Sequence, residues 1–252
     1  MRTWQGLSLF SGIGGLDLAF EWAGGVVSAM CEIEPYCRNV LRKHWPDVPL
    51  FDDIRRLNGS DVGAVDVVYG GFPCQPFSVA RVQRGKDDSR YLWPEFSRLV
   101  AEIKPRWIVA ENVSGILRIA ADDVCSDLER QGYSVGIWDF EAAAVGAKHR
   151  RERVFFVAHS NSSRFKISNE RREITATLSE RAVSRLERSG CLPNADSFWG
   201  GGWWESEPGV DRVAYGLSHR VDRLRALGNA VVPQQVYPIF KAIIDADECS
   251  EI

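Results

Sequence analysis

The run Tyr69–Val79, Y-G-G-F-P-C-Q-P-F-S-V, constrains this chain more than any other stretch. It grows out of Ala64–Tyr69, a Val-rich segment that reads as a short buried strand ending at the breaker pair Gly70-Gly71. Two glycines at a strand's end let the backbone turn sharply and approach a ligand closely. Pro73 and Pro76 fix φ on either side of Cys74, so the loop is stiff and its thiol is aimed. A lone cysteine beside a turn is ordinarily a buried small hydrophobe. The same residue, held between prolines just past a strand, can instead present a nucleophile to a substrate.

The N-terminal part repeats the strand-then-turn construction. Gly6–Phe10 reads as a first strand, Ser11-Gly12-Ile13-Gly14-Gly15-Leu16 as a glycine-rich turn, and Leu16–Trp22 as a helix. That order brings a ligand onto backbone amides at a helix N-terminus. The turn lacks the third glycine of the dinucleotide fingerprint, and no P-loop lysine follows it. Val26–Met30 reads as the second strand and runs into Cys31-Glu32-Ile33-Glu34. An acid about 20 residues after the glycine turn, at that strand's tip, suits a ribose hydroxyl pair; a surface carboxylate is the plain alternative. A helix over Tyr36–Lys43 and a short third strand reaching Phe51-Asp52-Asp53-Ile54 follow. A carboxylate there can accept from an adenine amino group or serve as a turn acid.

Beyond the Cys74 loop, residues 81–90 are polar and charged without apolar periodicity, and read as a loop. Tyr91–Ile103 reads as a helix with Leu92, Phe96, Leu99, Val100 and Ile103 on one face. Trp107–Ala110 is the next buried strand and ends at Glu111-Asn112-Val113. Asp122–Gln131 reads as a helix stopped by Gly132, and Ser134–Phe140 as a strand. A basic loop with Arg151 and Arg153 then feeds a strand over 154–158; alternating positions would face one side of an extended chain. From 160 to about 211 strand–helix alternation disappears, although Glu173–Arg188 can be drawn as a helix. In residues 148–188 eleven basic side chains face five acidic ones, in a chain of net charge −3. A phosphate-tracking surface or a solvated linker would each produce that asymmetry. Phe198, Trp199, Trp203 and Trp204 can pack this region onto the core or insert beside nucleic acid.

These motifs, taken together, resemble the cytosine-C5 DNA methyltransferases. Gly70–Ser78 is similar to that family's nucleophile loop, Phe10–Leu16 to its motif I, Glu111-Asn112-Val113 to motif VI, and Arg223–Gln235 to motif X. The resemblance implies an α/β, Rossmann-like S-adenosylmethionine-dependent methyltransferase with a mixed seven-stranded sheet. Residues 1–160 would form the catalytic and cofactor-binding domain, 161–211 a small inserted target-recognition region, and 212–252 the return to the catalytic domain with a last helix over 236–246 packing beside the first. It implies catalytic roles for Cys74, Glu111, Arg151 and Arg153. Glu111 would bind N3 and the exocyclic amine of cytosine, and the arginines the base and nearby phosphates. It implies cofactor contacts from Phe10, Ser11, Gly12, Ile13, Gly14, Gly15, Glu32, Ile33, Asp53, Ile54, Pro73, Asn229 and Val231. Residues 78–90 would close over the DNA. Two departures stand out: Ser8 occupies a position where many members have an acid, and His149 stands where motif VIII has glutamine. The motif IX region is divergent and falls somewhere within 207–227.

The remaining bounds are broad. Six cysteines without a C-x-x-C pair argue against zinc and for a reducing compartment. No stretch is long and apolar enough for a membrane span, and no signal peptide is evident. The expectation is a monomeric cytoplasmic enzyme acting on double-stranded DNA, with S-adenosylmethionine as methyl donor. An RNA cytosine methyltransferase of the same fold is one rival. Its usual Cys-Phe-Thr tripeptide is absent here. A non-catalytic DNA- or cofactor-binding module is the other, and it would be expected to have lost Cys74, Glu111 or the glycines.

Overall fold

A computed structural model describes residues 2–73, 91–161 and 220–248. Seven strands form one sheet in the order β3-β2-β1-β4-β5-β7-β6, comprising β1 Trp4–Leu9, β2 Gly25–Cys31, β3 Leu50–Phe51, β4 Val67–Gly71, β5 Trp107–Asn112, β6 Tyr133–Phe140 and β7 Arg153–Ser160. The first five run parallel, and β7 lies antiparallel to both β5 and β6. The helices are α1 Gly15–Trp22, α2 Pro35–His44, α3 Trp93–Ile103, α4 Ala121–Arg130, α5 Arg220–Asn229 and α6 Pro233–Glu248.

The sheet's two faces are both covered, which is why its strands read as nearly continuous apolar runs. Period-2 alternation divides them between two cores. Leu7, Leu9, Val68, Ile108, Ala110 and Phe156 pack with Phe96, Leu99 and Val100 of α3 and Val124 and Leu128 of α4. Tyr69, Val109, Phe155 and Val157 face the other way, onto Phe20 of α1 and Val236 and Phe240 of α6. Phe20, Tyr69 and Phe240 form an aromatic triangle with ring centroids 5.1–5.2 Å apart. The final helix thus packs beside the first, as the sequence implied.

The strand β4 corrects the reading of its own sequence in two respects. It begins at Val67, not Ala64, because Asp66 is a tie between chain segments. The Asp66 N–H donates to Gln5 O at 2.8 Å, its carboxylate accepts from the Gln5 N–H at 3.0 Å, and Arg2 pairs with it. Gly70 and Gly71 are not breakers either. They continue the strand, aligned with Ala110 and Glu111 of β5. They are glycines because of what lies against them. A Cβ on Gly70 would stand 2.1 Å from Leu9 O, and one on Gly71 would stand 2.6 Å from Glu111 Oε2.

The parallel strands β1, β2, β4 and β5 deliver Phe10, Glu32, Phe72 and Glu111 to one edge of the sheet. Strand order reverses between β1 and β4, and the crevice above such a switch point is where open α/β sheets bind ligands. Among the described residues no helix is long and apolar enough to cross a membrane. The proposed lid over 78–90, the helix over 173–188, the tryptophan-rich stretch and nearly all of the recognition region lie outside the described residues.

Candidate active site

The turn between β1 and α1 is built on left-handed backbone. Phe10, Gly12 and Gly14 have φ of 53°, 58° and 90°. Such angles favour glycine, so two of the turn's three glycines are required by conformation. Gly14 is also covered: a Cβ there would stand 2.4 Å from the Trp45 ring. Gly15 answers to a third constraint, since its Cβ would meet Val231 O at 2.6 Å. The chain between α5 and α6 therefore lies directly on the first turn, which brings Val231 to the motif I side of the crevice.

Glu32 is buried at the tip of β2. Its Oε2 accepts from the Gly12 N–H and its Oε1 from the Glu34 N–H, both at 2.7 Å. Burial raises its pKa, and the two backbone donors oppose that shift. Each carboxylate oxygen has a further lone pair, so two hydroxyls could still be accepted. Ile33 beside it is an apolar side chain left half exposed. A buried acid at the strand tip, a bare isoleucine and a glycine turn fit the ribose, the adenine face and the amino-acid end of S-adenosylmethionine respectively. Asp53 is bound to Arg55 through a 2.7 Å ion pair, which lowers its pKa. Ile54 is in the core, so any contribution from it comes through its backbone. Leu92, at the start of the apolar face of α3, packs against the same core. Ile13 is half-buried in the turn, and Asn229, the last residue of α5, is exposed.

The second half of the site lies across the switch point. Glu111 ends β5 beside Gly71, buried, and its Oε1 accepts from Arg153 Nε at 2.8 Å. Burial pushes its pKa up to about 7, even though Arg153 and Arg151 pull it down. A carboxyl poised there can carry a proton at neutral pH and donate it in a hydrogen bond. The next residue, Asn112, is buried, and its Nδ2 donates to Phe72 O at 2.9 Å. Glu111-Asn112 therefore fixes the backbone that leads into Pro73. Cys74 follows immediately and lies outside the described residues.

Arg151 and Arg153 do not share one extended face. Arg151 has φ of 35°, a left-handed kink that turns it away from the strand starting at Arg153. Arg153 reaches Glu111, whereas Arg151 Nη2 donates to Gly228 O at 2.9 Å and also to Ala230 O.

Sequence reasoning passed over two buried polar residues. Asp17 looked like an ordinary first-turn acid of α1 but is fully buried. The Tyr69 hydroxyl donates to its Oδ1 at 3.1 Å, and among the described residues its Oδ2 accepts no hydrogen bond. Burial raises its pKa to about 7, opposed by the neighbouring Ser8 and Tyr69 hydroxyls. Ser8 Oγ in turn donates to Ser11 Oγ at 2.8 Å, so this acid lies directly beneath the glycine turn. Gln235 is the other: fully buried, it donates from Nε2 to Phe140 O at 2.9 Å and to Arg151 O at 2.8 Å. The absence of an acid at position 8 was the one available signal for Asp17.

Residues 4–198 match the family model for C-5 cytosine-specific DNA methylase. The chain belongs to that family. Its curated relatives include the type II methyltransferase M.NgoMIV of Neisseria gonorrhoeae, 39% identical over 161 residues, covering 62% of this chain and 51% of the relative. Type II methyltransferase M.AquIA of Picosynechococcus sp. is 34% identical over 197 residues, 67% of this chain and 79% of the relative. Against M.NgoMIV, M.FnuDI and M.NgoFVII the chain spans 51%, 45% and 42% of their lengths, about half. Among solved structures, a putative DNA modification methyltransferase encoded within an E. coli prophage aligns with TM-score 0.58 at 30% identity, covering 67% of this chain and 50% of that one. DNMT2 of Spodoptera frugiperda aligns with TM-score 0.56 at 23% identity, over 67% and 54% of the two chains, and shows the shared fold. Both halves of the site described above fall mainly within the matched segment. The cytosine-methylase family model ends before α5 and α6, yet these helices complete the site through Val231, Gly228 and Ala230.

Proposed function

We propose that this chain transfers a methyl group from S-adenosylmethionine to C5 of a cytosine flipped out of duplex DNA, using Cys74 as a covalent nucleophile. The observation that carries the proposal is the Glu111–Arg153 pair, held against Gly71 on the strand that runs into Cys74. A buried acid of raised pKa with a guanidinium at 2.8 Å is the donor set a pyrimidine edge requires.

Bound S-adenosylmethionine supplies an electrophilic methyl group. Phe10–Gly15, Glu32, Ile33, Asp53, Ile54, Pro73, Asn229 and Val231 are the residues that would hold it. Cytosine C5 is a poor nucleophile until C6 is attacked. The Cys74 thiolate would add at C6, forming a C–S bond and directing the ring's electrons to C5; the C5–methyl bond would form as the donor's methyl–sulfur bond breaks and S-adenosylhomocysteine leaves. Glu111 in its protonated form donates to N3 and accepts from the exocyclic amine, offsetting charge on the ring as the adduct forms. Arg153 orients the base through O2 while keeping Glu111 in place, and Arg151 adds positive charge beside it. Loss of the C5 proton then returns the electron pair that expels the Cys74 thiolate. None of these atoms can be reached inside a stacked duplex, so the base must leave it.

The basic excess of residues 148–188 suits phosphate contacts. A recognition region at 161–211, inserted between the two parts of the catalytic unit, would choose the target sequence. The reading includes monomeric action in the cytoplasm of a bacterial or phage-infected cell, where relatives of this kind modify DNA as type II methyltransferases.

The test is trapping. A mixed-sequence duplex containing 5-fluorocytosine cannot lose a proton from C5, so a cytosine-C5 enzyme stays bonded to it. Incubation with labelled S-adenosylmethionine should give a denaturation-resistant protein–DNA complex, absent for Cys74→Ala. An equal complex from Cys74→Ala would overturn the role of this thiol. A complex formed with structured RNA alone would replace the substrate.

A further inference from the structure

We infer that Arg151 is a positioning residue for the methyl-donor site and not a base-contacting one. It clasps the chain between α5 and α6 onto the glycine turn, so that the arginine loop beside Glu111 also holds the donor pocket in shape. The inference deepens the reading above and rests on it.

The geometry is specific to this residue. Arg151 Nη2 spends its two N–H groups on Gly228 O and Ala230 O. Both carbonyls flank the end of α5, where the last turn leaves acceptors without intrahelical donors. The backbone of Arg151 is fastened from the other side. Its carbonyl accepts from Gln235 Nε2, and the same amide also donates to Phe140 O, tying β6, the arginine loop and the first turn of α6 together. Gln235 is fully buried, and the φ of 35° at Arg151 lets main chain and side chain serve opposite partners. The clasped linker continues one residue past Ala230 to Val231, whose carbonyl occupies the space a Gly15 side chain would need. Three links therefore separate the base side from the donor side: Arg153 on Glu111, Arg151 on the linker, and the linker on Gly15.

Among the described residues Arg153 makes none of these linker contacts; there it bonds to Glu111 and to Glu152 O. The two arginines should therefore separate experimentally. Both bonds leave one guanidinium nitrogen whose two N–H directions are fixed in a plane, and a lysine ammonium reproduces the charge but neither that reach nor those fixed directions.

The experiment is calorimetric titration of the full chain with S-adenosylhomocysteine, which needs no turnover. Arg151→Gln is expected to weaken binding about tenfold or more, the scale of charge-assisted bonds lost from a site they shape. Arg151→Lys should weaken it less, and Arg153→Gln should leave it within about twofold, the range of a residue outside the donor pocket. In methylation assays Arg151→Gln should raise the donor KM more than it lowers kcat, and Arg153→Gln the reverse. If Arg151→Gln does not fold, as judged by thermal melting, the lysine variant carries the test by itself. Equal affinity of wild type and Arg151→Lys, with Arg151→Gln also unchanged or unfolded, overturns the inference. A wild-type chain that binds no S-adenosylhomocysteine at all overturns the donor assignment underneath it, a different and distinguishable failure.

Discussion

Gly71→Ala should cost activity more than it costs stability. A Cβ built on Gly71 stands 2.6 Å from Glu111 Oε2, where real Cβ contacts essentially never fall below 3.0 Å. The carboxylate must therefore retreat by roughly half an ångström or more to reach ordinary contact. It is not free to do so, because Oε1 is held by Arg153 Nε at 2.8 Å and the group is buried. On the stability side, crowding of this kind costs about 1–3 kcal/mol. Alanine in place of strand glycine returns roughly 0.5–1 kcal/mol, so the net loss should be about 2.5 kcal/mol at most. On the functional side, a misplaced catalytic group about 1 Å from its position can cost about a hundredfold in rate. Initial rates of tritium transfer into DNA, with thermal melting alongside, should show at least a tenfold loss of kcat in a folded protein. Gly70→Ala is the control, since its Cβ would strike the Leu9 carbonyl at 2.1 Å, main chain that cannot yield. It should lose stability first. Wild-type turnover by Gly71→Ala would refute the idea that this glycine exists to seat Glu111.

Two further expectations concern the other buried acids. Glu32→Ala should raise the donor KM by roughly tenfold or more, the scale of a lost charge-assisted bond; an unchanged KM in steady-state assays would move the ribose contact to Glu34. Asp17 has a folded pKa near 7 against an ordinary 3.8, so its burial is tolerated while it is protonated at low pH. The penalty grows as pH rises from about 4 to 7 and is complete above that, reaching about 4 kcal/mol. Urea unfolding at pH 5 and pH 8 should therefore show Asp17→Asn gaining on wild type as pH rises; parallel pH dependence in the two proteins would contradict a buried, protonated Asp17.

Much of the frame was legible because it rests on local signals. Strand, glycine turn and helix from Trp4 to Trp22 announce themselves through apolar runs and forced left-handed glycines. Glu32 and Glu111 are legible because each ends a strand. What escaped depends on contacts distant in sequence. Gly70 and Gly71 look like breakers until the Leu9 carbonyl and the Glu111 carboxylate are set beside them. Asp17 looks like a helix-start acid, and only Tyr69, 52 positions away, shows that it faces inward. The helix α5 gave little amphipathic signal: among its described side chains Val221 and Leu227 are exposed and Ala226 is buried. Arg151 followed the alternation expected of a strand, but a single positive φ sends it to the α5–α6 linker. Ile54 is named by its motif, and only the fold shows that its side chain is in the core.

The central claim is that this site methylates carbon 5 of cytosine. Its most direct test is to incubate the full chain with duplex DNA and tritium-labelled S-adenosylmethionine, digest the DNA to nucleosides and separate them. The account predicts label in 5-methyldeoxycytidine alone, absent with Cys74→Ala. Label in N4-methyldeoxycytidine or N6-methyldeoxyadenosine, or none in DNA from a chain that binds the donor, would contradict it.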